Sequence, residues 1–230
     1  MWSRSLFRRR PDRLIPLKSK DDYSQLFAYV DFFIENKVAK VQEVVDRLSP
    51  GTITCLDETG TLSPMIGGLQ DPTFWVASGA YWAYMWARVA VEQGSNVAVV
   101  GQSQYMDSPD REAGVTMMDW TSGNGTAKYW VNRLIIESVS LGDQFRSTVT
   151  ASKTGPAAPL FAQAYTHGGT CNRVLLINKQ NAPTTITIAG GTTARVVDSM
   201  SNQGPPRTVA MVAGVILLDA FATAIVTVSP

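Results

Sequence analysis

The sequence predicts an α/β part followed by an all-β part, with the change of character near Leu141-Gly142-Asp143. Before that point, apolar stripes at helical spacing alternate with short apolar runs rich in β-branched residues. This alternation is typical of parallel βα units. After that point, short apolar runs recur between Gly, Pro and Asn turns, which is typical of a β-sandwich.

Composition and charge exclude several classes of protein. Of the 230 residues, 45% are hydrophobic and 17% are charged, a balance that can bury a core and argues against disorder. The formal net charge is +1, so no global field attracts nucleic acid or an anionic membrane. No apolar run reaches the roughly 18 residues that a membrane helix needs. The sequence shows no metal-ligand spacing, and no cofactor is expected.

Residues 1–20 form a basic tail that we expect to be disordered. A basic run of this kind is usually solvated, and a start exposed by truncation or a weak polyanion patch are the alternatives. No apolar stretch follows, so no secretory signal is readable. A full-length parent with a signal peptide would be extracellular or in the secretory pathway. The clustered residues are Arg4, Arg8, Arg9, Arg10 and Arg13.

The first predicted element is a helix over residues 21–48, capped by Asp21 or Asp22 and ended by Ser49-Pro50-Gly51. The run Thr52–Leu56 follows and is predicted to be a strand buried on both faces. The helix shows one apolar stripe at spacings of three and four, formed by Leu26, Val30, Ile34, Val38, Val41, Val45 and Leu48.

Asp71-Pro72 opens a second predicted helix, which ends near Gly94. Asn96–Val100 is another buried-type strand, residues 115–120 pair locally, and residues 127–138 form a third helix. Four tryptophans fall within these helices and are predicted to pack in the core: Trp75, Trp82, Trp86 and Trp130. Residues 21–142 therefore form the α/β domain, and residues 143–230 form the all-β domain. Its predicted strands cover 145–151, 160–165, 174–178, 184–188, 194–197, 208–212, 215–218 and 222–228.

Polar side chains follow both predicted parallel strands. Asp57 and Glu58 come directly after Leu56, and a carboxylate at a barrel strand end can act as a nucleophile or a general base. An Asp-Glu pair in this position can also be an ordinary loop or a helix cap. Gln102, Gln104 and Tyr105 follow the next strand, and Asp119 and Trp120 lie further along. These groups suit sugar hydroxyls and pyranose faces, although polar loop residues and a covering Trp120 are the structural alternatives.

Cysteine and histidine are scarce. Cys55 lies in an apolar run and Cys171 in a Gly-rich turn, and one potential pair is too little to predict a disulfide framework or a metal site. The single histidine, His167, lies in the loop-like stretch Thr166–Gly169, where we expect it to be solvated.

The order of these features resembles the last third to half of retaining glycoside hydrolases of the clan built on a (β/α)₈ barrel. The most similar groups are the β-xylosidase and α-L-iduronidase group and the heparanase-like β-glucuronidase group. The resemblance implies a partial (β/α)₈ barrel followed by a C-terminal β-sandwich. It makes Thr52–Leu56 the seventh strand, Val97–Val100 the eighth, and Glu58 the nucleophile, with an oligo- or polysaccharide as substrate. The segments that carry it are Cys55–Gly60, Phe74–Glu92, Val97–Gln104, Val115–Trp120, Lys128–Trp130, Val174–Lys179 and Ala222–Val228.

The sequence departs from this family at one point. The family's acid/base Glu lies at the end of the fourth strand, usually after an Asn, and this sequence contains no Asn-Glu pair. Asp57 and Glu58 are chain neighbours, which on a regular strand point to opposite faces, so we do not expect both to flank one bond. We therefore expect a fragment of a glycoside hydrolase that is inactive alone. The alternatives are a non-catalytic carbohydrate-binding or interaction module, and an α/β-plus-β protein without sugar chemistry.

Overall fold

The computed structural model describes residues 23–60, 72–91, 96–102, 106–107, 116–119, 122–146, 158–167, 170–201 and 204–229. The predicted basic tail and the capping residues Asp21 and Asp22 lie outside this part of the chain. The helical elements are α1 (Gln25–Phe33), a π-helical segment (Ile34–Val38), α2 (Ala39–Leu48), α3 (Pro72–Val91) and α4 (Ala127–Ser138).

Four short strands accompany these helices: β1 (Thr54–Thr59), β2 (Val97–Gln102), β3 (Met106–Asp107) and β4 (Met118–Asp119). The rest of the described chain is β-structure, as predicted, and most strands begin and end within a few residues of the predicted bounds. These strands are β5 (Gln144–Arg146), β6 (Leu160–His167), β7 (Thr170–Asn178), β8 (Thr184–Thr187), β9 (Gly191–Val197), β10 (Arg207–Ala210), β11 (Val215–Leu218) and β12 (Thr223–Val228).

The main sheet has six strands in the order β10-β9-β12-β7-β6-β5, and its neighbouring strands are antiparallel. Side chains alternate between the two faces of a strand. In β7, Leu175 and Ile177 belong to the cluster shared with the helices, whereas Val174 and Leu176 belong to a second cluster. That second cluster also contains residues of the antiparallel pair β8–β11. The sheet is therefore covered on both faces.

Helix α3 is the central helix of the molecule. It is apolar on all sides because it contacts α1 and α4 as well as strands β2, β7 and β12. Trp75 and Trp82 are buried, and Trp86 and Trp130 are partly buried against the same hydrophobic cluster, which confirms their predicted packing role. This cluster contains residues from both sides of residue 142, so the predicted α/β and all-β parts share one core.

Aromatic rings connect the helices to the sheet. Phe221, in the turn before β12, stacks on Phe27 with 6.3 Å between ring centroids and lies 6.1 Å from the ring of Tyr23. Phe221 is fully buried although its φ of 54° lies in the left-handed region, which is unfavourable for a bulky residue. We infer that the burial of its ring in this aromatic contact offsets the backbone strain.

The first helix differs from its prediction in its second half. Val30, Ile34 and Val38 of the predicted stripe are buried, as is Phe27, which the prediction did not include, and Leu26 is partly buried. Val41 and Leu48, however, are 53% and 70% exposed, so one continuous buried stripe is wrong. The π-helical turn inserts a wider turn between α1 and α2, which rotates the face that follows it. Only Gln42 of α2 is buried, and its side chain accepts a 2.9 Å hydrogen bond from the Asn96 backbone N–H.

A buried charged cluster joins α1 to α3. The Asp31 carboxylate is nearly inaccessible, accepts a 2.7 Å hydrogen bond from the Tyr84 hydroxyl, and forms an ion pair with Arg88. The ammonium group of Lys179, which follows β7, lies 4.7 Å from the centre of the Tyr84 ring. The cluster therefore links the helical layer to the sheet through one buried carboxylate.

Replacing Arg88 by Leu should destabilise the protein strongly, because it leaves the buried Asp31 charge without its ionic partner. Loss of one member of a buried pair typically costs about 3–5 kcal/mol. The measurement is the free energy of unfolding in urea. The matched control is Arg133→Ala in the exposed Arg133–Glu137 pair, which should cost no more than about 0.5 kcal/mol. Equal losses in the two variants would contradict the assigned role of Asp31.

Lys128, near the start of α4, is 2% exposed. Burial lowers the pKa of this lysine to about 8, whereas in the unfolded chain the pKa is about 10.4. Between these values the unfolded state binds more protons than the folded state, so stability rises with pH across that window.

Between about pH 7 and about pH 9.5 the wild type should gain about 2 kcal/mol of unfolding free energy relative to Lys128→Met. The reason is that the wild type releases the Lys128 proton in the folded state, and the variant has no such group. Urea denaturation of both proteins at the two pH values measures the difference. Parallel pH profiles for the two proteins would show that Lys128 keeps an ordinary pKa.

Candidate functional site

The predicted site residues centre on a two-stranded parallel sheet formed by β1 and β2. One face is covered, because Leu56, Val97 and Val100 pack against the hydrophobic cluster that contains α3. On the other face Val99 is 55% exposed, and Ile53, just before β1, is 70% exposed. The prediction of strands buried on both faces is therefore wrong. In the described part of the chain, no further strand or layer covers this open face.

Strand β1 continues to Thr59, so Asp57 and Glu58 lie inside the strand near its carboxyl end. The prediction placed both residues directly after a strand that ended at Leu56. Of the three extra residues, Thr59 pairs with Gln102 at the end of β2. A carboxylate near the carboxyl end of a parallel strand remains in the region where barrel enzymes carry reactive groups.

A β-bulge changes the faces of Asp57 and Glu58. Leu56 pairs with Val100 and Thr59 with Gln102, so three steps along β1 match two steps along β2. Burial follows the same shift: Leu56 is half-buried, Asp57 and Glu58 are both exposed, and Thr59 is buried. The expectation that Asp57 and Glu58 point to opposite faces is therefore wrong. It assumed a regular strand, and the extra residue changes the alternation.

Thr59 and Gly101, which were not among the predicted site residues, contact the bulge. The Thr59 hydroxyl donates a 2.8 Å hydrogen bond to the Gly101 carbonyl oxygen. A Cβ on Gly101 would overlap the backbone carbonyl of Asp57, so the two strands approach each other too closely for any side chain there. The available sequence signal was the glycine itself, directly after a β-branched run, because such a glycine often indicates a bulge or close backbone approach.

Gln102 lies on the covered side of the sheet. It is two residues after Val100 and opposite the buried Thr59, which places it on the same face as both. Both polar atoms of its amide are buried and have no hydrogen-bond partner among the residues that the structure describes. Gln102 therefore presents no polar group on the exposed face that carries Glu58. Gln104, Tyr105 and Trp120 lie outside the described residues.

Asp119 is held in a local turn. It ends β4, which pairs in parallel with β3. Its carboxylate accepts a 2.8 Å hydrogen bond from the Ser122 hydroxyl, and its backbone N–H donates to the Asn124 carbonyl at 2.9 Å. The turn ends at Thr126, the residue before α4, whose hydroxyl donates to the Thr116 carbonyl at 2.8 Å. Asp119 thus takes part in a local turn, and no described contact joins it to Glu58.

Of the remaining reactive residues, Cys55 lies on a strand as predicted, whereas Cys171 and His167 differ from their predicted settings. Cys55 is an exposed free thiol on β1, on the same face as Val99. Cys171 belongs to β7, whereas the sequence suggested a turn. His167 ends β6 and pairs with Thr170, so it lies in a hairpin where a loop was expected. The described residues contain no group of three or more His, Cys, Asp or Glu side chains that could hold a metal ion. Nor does any described helix have the length and apolar character that crossing a membrane requires.

Comparisons with sequences gave no relatives: no protein-family model matches the chain, and no curated protein matches it. Solved structures do match. A conserved exported protein from Bacteroides fragilis has a TM-score of 0.62 at 14% identity, with 87% of this chain and 44% of that chain covered. The arabinose complex of α-L-arabinofuranosidase from Thermotoga maritima has a TM-score of 0.61 at 16% identity, with coverages of 90% and 50%.

The GH51 arabinofuranosidase from Xanthomonas axonopodis pv. citri has a TM-score of 0.57 at 10% identity, with coverages of 92% and 48%. The chain thus spans about half the length of the solved structures that it matches. At these identities the likeness concerns the fold alone. The chain has a glycosidase-like fold.

Proposed function

We propose that the chain is part of a glycoside hydrolase that cleaves O-glycosidic bonds with retention, and that Glu58 is its nucleophile. The observation that carries the proposal is the position of Glu58: exposed, near the carboxyl end of a parallel strand, in a glycosidase-like fold. In barrel enzymes the reacting groups lie at this end of the strands. We include in the same proposal that the chain is related to the β-xylosidase and α-L-iduronidase group or to the heparanase-like β-glucuronidase group.

The proposed architecture has two parts. Residues 21–142 supply the last βα units of a (β/α)₈ barrel, with β1 and β2 as its seventh and eighth strands. Residues 143–230 form the β-sandwich that packs beside the barrel. The parallel pairing of β1 with β2 and the helices that cover only one of their faces support the first part. The second hydrophobic cluster, between the six-stranded sheet and β8–β11, supports the second part.

The chemistry proposed for Glu58 is nucleophilic attack. A carboxylate oxygen bonds to the anomeric carbon while the glycosidic oxygen leaves with a proton from a second carboxylic acid. Water then hydrolyses the glycosyl ester, with the second group acting as base. We propose sugar contacts for Asp57 and Asp119, and for Gln104, Tyr105 and Trp120 outside the described residues. The covered position of Gln102 supports a structural role better than its predicted sugar contact.

The sequence has no Asn-Glu pair, so this chain does not supply the second carboxylic acid at the expected motif. A positioned acid/base contributes about 10²- to 10⁴-fold to the rate. We therefore propose that the chain alone does not turn over ordinary glycosides. The same observation favours a second candidate function, a non-catalytic carbohydrate-binding or interaction module.

Activated substrates separate the two steps of the proposed reaction. A dinitrophenyl glycoside needs no acid to expel its leaving group, so the purified chain should form the glycosyl ester on Glu58. Hydrolysis of that ester should then stop, because no general base activates the water. We expect a single burst of dinitrophenolate and one added glycosyl group. Arabinofuranosyl, xylosyl and glucuronyl donors should be compared, with the burst followed by absorbance and the adduct located by peptide mass spectrometry.

Glu58→Gln should abolish both the burst and the adduct, and Glu43→Gln, the same substitution at an exposed glutamate of α2, should retain them. An adduct on Asp57, or none with any donor, would contradict the assignment of the nucleophile. Robust turnover of unactivated glycosides would contradict the proposed inactivity of the chain. Retention on immobilised polysaccharide without an adduct would favour the binding module.

A further inference from the structure

We infer that Thr59 and Gly101 are positioning residues that hold Glu58 on the exposed face of the β1–β2 sheet by fixing the bulge at Asp57–Glu58. Thr59 and Gly101 act on the orientation of Glu58, and the role of that orientation in catalysis rests on the proposed function. It assigns a role to two residues that contact neither a substrate nor the reacting atoms.

The bulge determines which residue after Leu56 places its side chain on the covered face of the β1–β2 sheet. On a regular strand the residue two positions later shares the face of Leu56, and that residue is Glu58. Its carboxylate would then lie against the apolar layer that contains Val97 and Val100, where an unpaired charge is strongly disfavoured. The extra residue of the bulge puts Thr59 in this position and leaves Glu58 exposed.

Thr59 is suited to the covered position because its polar group is satisfied there. Its side chain is 8% exposed, and its hydroxyl donates a 2.8 Å hydrogen bond to the Gly101 carbonyl oxygen on the neighbouring strand. This bond is made only when Thr59, and not Glu58, occupies the covered face opposite β2. The hydroxyl therefore stabilises the bulged register over the regular one.

Gly101 acts from the other strand. A Cβ at this position would overlap the carbonyl oxygen and carbonyl carbon of Asp57, both of which are backbone atoms that cannot rotate away. The bulged backbone of β1 thus occupies the space that any other residue would need. The φ of Gly101 is not in the left-handed region, so the backbone conformation does not require glycine here. Glycine is required because the two backbones approach too closely for a Cβ.

A second irregularity, in β2, limits the shift of register between β1 and β2 to a few residues. Thr54 pairs with Val97 and Cys55 with Val99, so at this point the extra residue belongs to β2. The two irregularities cancel, and Thr54–Thr59 and Val97–Gln102 match again at both ends. The faces of Asp57 and Glu58 are therefore set without displacing the rest of either strand, as expected when a bulge serves to re-aim a side chain.

The orientation can be measured without any glycosidase activity. In a Cys55→Ser, Cys171→Ser background, Glu58→Cys introduces a reporter thiol whose rate of reaction with N-ethylmaleimide reports its exposure. Adding Gly101→Ala should slow this reaction at least about fivefold, because the thiol then reacts mainly through local opening of the strand. The matched control is Gly125→Ala, where a new Cβ would meet the Tyr129 ring away from β1, and the reaction rate should not change.

The hydroxyl of Thr59 is tested by Thr59→Val, which keeps the shape and removes the donor, and by Thr59→Ser, which keeps the donor. In the Glu58→Cys reporter background, where no charge at position 58 opposes the regular register, Thr59→Val should slow the reaction with N-ethylmaleimide by up to about fivefold, the effect of one hydrogen bond, and Thr59→Ser should restore the rate. Thr126→Val removes a similar buried bond to a backbone carbonyl and should leave this reaction rate unchanged. Circular dichroism should show every variant folded.

The inference is overturned if the Glu58→Cys thiol reacts equally fast with and without Gly101→Ala in folded protein, or if Thr59→Val and Thr126→Val have the same effect on its reaction rate. The proposed function fails separately, through the absence of any adduct on wild-type Glu58. If the adduct is absent, the maleimide measurement alone decides whether Gly101 and the bulge control the orientation at position 58.

Discussion

The structure depends on a six-stranded sheet that is apolar on both faces. Neighbouring residues of β7, such as Leu175 and Leu176, belong to different hydrophobic clusters, so the sheet needs a layer on each side. Helices α1, α3 and α4 supply one layer, and β8 with β11 supplies the other. Because α3 also contacts β2, the covered face of the β1–β2 sheet is set by the same packing. The strand that carries Glu58 is thus oriented by a core that extends to the far end of the chain.

Two local irregularities of the backbone decide what lies on the surface. The π-helical turn at Ile34–Val38 rotates α2, and Val41 and Leu48 become exposed. The bulge at Asp57–Glu58 reverses the alternation of β1, and Glu58 becomes exposed. In both cases an extra residue within a repeat changes the face of the residues next to it. Near these points the buried side chains of Gln42 and Thr59 are hydrogen-bonded, whereas the buried Gln102 amide has no partner among the described residues.

The open face of β1–β2 links the fold to the proposed function. Parallel sheets are normally covered on both faces, whereas here Ile53 and Val99 are exposed. The chain spans about half the length of the arabinofuranosidases that share its fold. Both observations support the proposal that this sheet belongs to a larger barrel, in which Glu58 would face the substrate. The absence of an Asn-Glu pair from the sequence and the exposure of Glu58 both support the proposal that the chain supplies one member of a catalytic pair.

The sequence alone determined the order and type of the elements. Periodicity identified the helix over 127–138 and the strand over 215–218 at their observed bounds, because long apolar repeats and turn residues act locally. The sequence also placed Glu58 near the end of a parallel strand. Only the tertiary structure decided which face Glu58 occupies, since that depends on the register between β1 and β2, in which Thr59 and its partner Gly101 are 42 residues apart in the chain. A period-two pattern cannot reveal a bulge, because one inserted residue alters the phase of a strand without altering its composition.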